Sequence, residues 1–190
     1  VTTSGNVGIG TTSPNSTAGF TTVTLNNATT GGIIDFENNT SLVGRIYNTS
    51  TNFHVYNQTA NSLLFGTSGT EKMRIDSSGR VMVGKTSTGL GNAGVELDPS
   101  GQLKGTAANV VVQYLNRTSS DGSILEFRKD NSTVGNIGVD NSDNLVIEGN
   151  STHSGLQFAT NVVLPHKNGA LVDATIGLGN NSSRFTDLYL

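Results

Sequence analysis

Ile75-Asp76-Ser77-Ser78-Gly79-Arg80-Val81 reads as a β-hairpin compressed into seven residues. An apolar residue closes each end, so both ends lie on one strand face. Asp at the start of the turn can accept a hydrogen bond from the backbone that follows, and Gly accepts the positive φ that closes a longer hairpin loop. The same pattern stands at Val1-Thr2-Thr3-Ser4-Gly5-Asn6-Val7 and at Leu97-Asp98-Pro99-Ser100-Gly101-Gln102-Leu103, where Pro99 presets φ for the second turn position. A looser copy, Val139-Asp140-Asn141-Ser142-Asp143-Asn144-Leu145, puts Asp where Gly stood. The turn residues Gly5, Gly79, Gly101, Asp76 and Asp98 are therefore the expected structural positions of the repeat.

The strand leaving the turn recurs as well. Val7-Gly8-Ile9-Gly10-Thr11-Thr12-Ser13 matches Val81-Met82-Val83-Gly84-Lys85-Thr86-Ser87, and both match Ile176-Gly177-Leu178-Gly179-Asn180-Asn181-Ser182. Apolar residues two apart share one strand face. A longer duplication encloses these units. Ile34-Asp35-Phe36 with Leu42-Val43-Gly44-Arg45-Ile46 pairs with Leu125-Glu126-Phe127 and Thr133-Val134-Gly135-Asn136-Ile137, and Leu63-Leu64-Phe65 pairs with Leu156-Gln157-Phe158. The spacing predicts an N-terminal element over 1–30, a β module over 31–84 and a connecting segment over 85–121. A second module with a C-terminal element follows over 122–190. Val110-Val111-Val112-Gln113-Tyr114-Leu115 in the connecting segment is expected as a strong strand. No window sustains the apolar period of a helix. The expected fold class is all-β, with no significant helix.

Composition decides what such strands need. Hydrophobic residues make up 34%, and only with the 24 glycines does the apolar share approach the about 45–50% (counted with Gly) of ordinary globular domains, so much of it carries no side chain to bury. Asn, Ser, Thr and Gly supply about half the chain. A lone chain of this kind struggles to bury enough apolar surface to offset its entropy. Because the apolar residues nonetheless alternate cleanly, the core is expected to be shared between chains, in an elongated, intertwined homotrimer of repeated short hairpins. The net charge of −3 and the lack of any basic run argue against nucleic acid. The chain has no Cys, which excludes disulfides, and no apolar run near the ~20 residues of a membrane helix. It reads as a piece of a longer polypeptide.

Several motifs resemble chemistry. Gly79-Arg80-Val81-Met82-Val83-Gly84-Lys85-Thr86 matches the phosphate-loop pattern. That loop must follow a strand and open a helix, whereas here the intervening residues are themselves a strand, and the sister repeat carries Thr11 in place of the lysine. Lys85 is thus expected to be an ordinary surface residue. Gly89-Leu90-Gly91-Asn92-Ala93-Gly94 fits the dinucleotide fingerprint but runs into a strand, not a helix. His54, His153 and His166 are scattered and expected at the surface or at strand edges. Asp130, Asp140 and Asp143 miss the calcium-loop spacing and are expected to shape turns. Asp35 and Glu37 share a strand face but no cleft. Phe36, Phe53, Phe65, Phe127, Phe158, Tyr47, Tyr56 and Tyr114 are expected in the core. No catalytic, cofactor-binding or metal-binding residue is nominated. Asn-x-Ser/Thr triplets at Asn15, Asn27, Asn38, Asn39, Asn48, Asn57, Asn116, Asn131, Asn150, Asn180 and Asn181 exceed chance by roughly twofold. They read as turn formers, or as glycan acceptors in a secreted protein.

These residues carry a resemblance. Gly5-Asn6-Val7-Gly8-Ile9-Gly10-Thr11-Thr12-Ser13-Pro14 and Gly69-Thr70-Glu71-Lys72-Met73-Arg74-Ile75-Asp76-Ser77-Ser78-Gly79-Arg80-Val81 resemble elements of tailed-phage tail fibres and tailspike-like proteins. The stretch from Ile176 to Leu190 is similar to the segment that precedes an intramolecular chaperone of the endosialidase type in such fibres. The resemblance implies a trimeric shaft on the virion, outside the cell, supporting host attachment. It transfers no catalytic residue. Expected partners are further copies of the chain, other fibre or virion proteins, and a host surface glycan or receptor. The rival readings are a glycan-binding surface adhesin, a glycosylated surface fibre of a eukaryotic virus and, third, a catalytic tailspike.

Overall fold

The computed structural model describes residues 5–183. The first four residues of the Gly5 repeat and the last seven of the C-terminal element, 184–190, lie outside the described residues. Every regular element described is a β-strand, and all pairings but one are antiparallel. The chain divides into two compact units, Val1–Val112 and Gln113–Leu190.

Among its described residues, the first unit holds three sheets. Strands β1 (Val7–Ile9) and β2 (Val23–Leu25) form the single parallel pair, and Asn6, buried beside it, accepts the Thr22 N–H at 2.9 Å. Strands β3 (Ile33–Asn38), β4 (Ser41–Asn48) and β5 (Phe53–Asn57) form a meander, and so do β6 (Leu63–Thr67), β7 (Thr70–Ile75), β8 (Val81–Val83), β9 (Gly94–Leu97) and β10 (Leu103–Thr106). The second unit is a six-stranded meander of β11 (Gly122–Lys129), β12 (Ser132–Asp140), β13 (Asn144–Gly149), β14 (Gly155–Ala159), β15 (Val162–Lys167) and β16 (Ala170–Leu171).

Local chemistry explains these connections. The Asp76 and Asp98 turns close the same span, Ile75 opposite Val81 and Leu97 opposite Leu103. In each, the Gly N–H returns to the Asp carbonyl at 2.9 Å, and Gly79 and Gly101 sit at φ +82° and +88°. Gly5 has φ +83°. The looser copy also forms a hairpin, with Val139 opposite Leu145. Tighter two-residue turns at Asn39-Thr40, Ser68-Gly69 and Asp130-Asn131 have positive φ at both centres, the backbone that matches the twist of flanking strands. All three of these hairpins carry a register shift directly after a phenylalanine: Phe36, Phe65 and Phe127. The hairpins around Phe36 and Phe127 share their register from Ile34 opposite Ile46 and Leu125 opposite Ile137 to the turn, while the second carries a further shift between Ser123 and Leu125.

Two expected strands do not form. Residues 110–115 and 176–179 carry no strand. Val, Tyr and Leu favour extended backbone, but a strand exists only when a partner takes its hydrogen bonds, and here none does.

Candidate functional site

The sheets bury the unexpected face. In the five-stranded sheet, Leu63, Ile75, Val81, Leu97 and Leu103 form one cross-strand row, and Phe65, Met73, Val83 and Val95 form another on the same side. The row between them points the other way and reads Leu64, Arg74, Met82, Glu96, Lys104. Glu96 and Met82 in that row are buried, at 0% and 2% exposure, while Val83, Leu97 and Leu103 on the apolar side are open at 46%, 48% and 61%.

The six-stranded sheet repeats the arrangement. Leu125, Ile137, Ile147, Leu156 and Pro165 form one apolar row, and Val139, Leu145, Phe158 and Val163 form a second. Ile147, Leu156 and Phe158 are exposed, whereas Val146, Gln157 and His166 on the reverse face are buried. In the three-stranded sheet, Ile34, Phe36, Val55 and Phe53 are exposed on one side. On the other, Tyr47 stacks on His54 at 4.3 Å and Arg45 holds Asp35 through two 3.1 Å contacts. Met82 and Val146 are the buried hydrophobic side chains among the described residues.

The expectation that the aromatics form a core is therefore not met within one chain: Phe36, Phe53, Phe65, Phe127, Phe158, Tyr56 and Tyr114 are all exposed. A half-solvated antiparallel sheet ordinarily turns its apolar side inward. Here the middle of the polar side is closed by its own network in the five- and six-stranded sheets, with Leu64 at the edge of that row still open, and the apolar side is open in both; the three-stranded sheet leaves residues exposed on both sides, Ile34 and Phe36 on one and Ile33 and Tyr56 on the other.

The closed faces are ion-paired and hydrogen-bonded. Glu96 accepts from Lys104 at 2.8 Å, from the Gly89 N–H at 2.9 Å and from Lys85 at 3.3 Å. Lys104, then the Gly89 N–H and Lys85, hold its carboxyl below the ordinary value despite burial. Lys85 also donates to the Gly89 carbonyl. Its side chain is 1% exposed, which corrects the expectation of a surface lysine. The loop after β8 folds back over β9 and carries the ammonium onto Glu96, so Lys85 is committed inside the chain and no helix follows it to cradle phosphate. Asp98 lies well below the usual carboxylate range because the Ser100 hydroxyl and N–H donate to it, with Arg80 adding a 2.8 Å pair. Burial pushes Asp76 up, but the Arg80 and Ser78 N–H groups outweigh it and the net shift is downward.

His166 is also buried, at 1% exposure, which corrects the expectation of a surface imidazole. Its Nδ1 lies 2.5 Å from Glu148 and its Nε2 3.4 Å from Asp140. Asp140 further accepts from Gln157 at 3.0 Å, and Glu148 accepts from the Gly169 N–H at 3.2 Å. A cleft of about 280 Å³ opens beside this cluster, but its carboxylates are already engaged by the chain. Among the described residues, no three His, Asp or Glu side chains converge as a metal centre requires. Nor is any helix long and apolar enough to cross a membrane.

The Asn-x-Ser/Thr triplets have a local use. Asn27, Asn57 and Asn150 each accept both the N–H and the hydroxyl of the Thr two residues on, at 2.7–3.0 Å. Asp98 treats Ser100 the same way. Triplet and Asp-x-Ser are one turn device, in which a side-chain oxygen stands in for a backbone carbonyl.

The open apolar faces are thus the candidate functional site, and their chemistry is that of an interface. Comparison with protein families, with curated proteins and with solved structures finds no match.

Proposed function

We propose that this chain is a non-enzymatic structural segment of a viral tail fibre, working as a homotrimer on the virion and supporting host attachment. The observation that carries the reading is the inverted burial: charged faces closed within the chain, apolar faces left open. A partner that covers those faces gains about half of the roughly 1.5–3 kcal/mol that full burial of a Val, Leu, Ile or Phe is worth, since these side chains are already partly covered. Copies of the same chain are the economical partner, because each brings identical faces, and a closed ring satisfies all of them. The likeness of the Gly5 and Gly69 stretches to tail-fibre elements supports the same reading.

The test is Ile147→Asp. In a monomer, Ile147 is a surface residue, and the change moves stability by about 0.5 kcal/mol or less. In the assembly it buries a carboxylate in an apolar interface. We expect the variant to lose the oligomer and to melt far below the parent. A variant with the parent's mass and melting temperature contradicts the proposal.

A further inference from the structure

We infer that residues 110–115 form the assembly strand of this chain, taking their backbone hydrogen bonds from a second copy. The inference rests on the homotrimer reading and says which segment crosses between copies.

Val110-Val111-Val112-Gln113-Tyr114-Leu115 is an uninterrupted strand-forming run, with no charge, Gly or Pro. Yet it is unpaired: none of its residues lies in a strand, and none makes a hydrogen bond to another described residue. It is also open to solvent, with Val110 at 69%, Val111 at 56%, Val112 at 57% and Tyr114 at 82%. An exposed run of this kind is a template for pairing with another chain.

Its pattern says where it belongs. Val110, Val112 and Tyr114 would fall on one strand face, and Val111, Gln113 and Leu115 on the other. The first face is apolar along its length apart from the Tyr114 hydroxyl, and the second is apolar at both ends with an uncharged amide between, a pattern that suits a strand covered on both sides. The nearest edge of its own chain, β10, does not offer that site. Three residues after β10 would suffice for a hairpin, but pairing there would set one apolar row beside Lys104 and Glu96, which lie in the closed, charged row. Val83, Leu97, Leu103, Ile147, Leu156 and Phe158 stand open in the sheets of the same chain, so a second copy brings apolar rows for this strand to lie against. The apolar faces of other copies supply the matching environment, and in a closed ring each copy gives and receives one strand.

Hydrogen–deuterium exchange on the assembled full chain tests this. We expect amides 110–115 to exchange at least 100-fold more slowly than in an unstructured peptide, and to lose that protection on dilution to monomer. A Val111→Pro variant, which removes one strand donor, should raise the concentration for half-assembly at least tenfold. Three outcomes overturn the inference: an oligomer whose 110–115 amides exchange freely, protection that persists in the diluted monomer, or protection that needs an added virion protein. A chain that never assembles sinks the homotrimer reading itself, whereas an oligomer with free amides sinks only the assembly strand.

Discussion

At the scale of single residues, positive φ is where side-chain identity matters most. Gly79 and Gly101 hold φ +82° and +88°, a backbone that costs an L-residue about 1–2 kcal/mol. A Cβ built at Gly101 meets nothing within 4 Å, and one at Gly79 meets only Pro99 at 3.4 Å. The penalty there is therefore conformational strain and not collision. Gly79→Val and Gly101→Val should each lower chain stability by about 1–2 kcal/mol, read as a lower melting temperature than for Lys129→Ala, whose side chain is 81% exposed. Equal melting points would mean these turns do not set strand register. Lys85→Ala cannot serve as the neutral control, since that side chain is buried against Glu96. These turns were legible in the sequence because a turn is settled by four or five neighbouring residues. Lys85 was not, because its partners are the Gly89 carbonyl and a carboxylate eleven positions on, met only after the loop folds back. His166 was missed for the same reason, its partners lying on β12 and β13.

At the scale of strands and sheets, alternation told which residues share a face but not which face is closed. The row Arg74, Met82, Glu96, Lys104 reads as a solvated surface, yet its centre is the most buried part of the sheet. The reason is pairwise: Glu96 meets Lys85, Lys104 and an N–H together, and desolvated charges persist only when so satisfied. Residues 110–115 show the converse failure, since strand propensity was present and the partner was not. The charged row also makes acid lability an expectation. The carboxyls of Asp98, Glu96 and Asp76 all lie below their ordinary values of 3.8, 4.5 and 3.8. The folded chain therefore gives up protons that the unfolded chain keeps. Their contribution is fully present above those ordinary values and is lost as pH falls through the lower folded-state values. Melting temperature should hold near pH 6 and fall steadily below about pH 4, and Asp98→Asn should flatten that decline. A profile unchanged by Asp98→Asn would show that the ion network does not couple to folding.

At the scale of the molecule, strand content and hairpin register follow from local chemistry, while the core does not close within one chain. Met82 and Val146 are the buried hydrophobic side chains among the described residues, and the proposed assembly places further hydrophobic stabilisation in contacts between chains. The small share of apolar side chains in the sequence pointed to the same shortage, and the open faces are where the proposal has it made good. Stability and assembly should then be inseparable, with folding dependent on chain concentration. Sedimentation equilibrium of the unmodified chain tests this most directly. The account predicts a single species at three times the 19.7 kDa chain mass, whereas a folded, stable species at 19.7 kDa contradicts it.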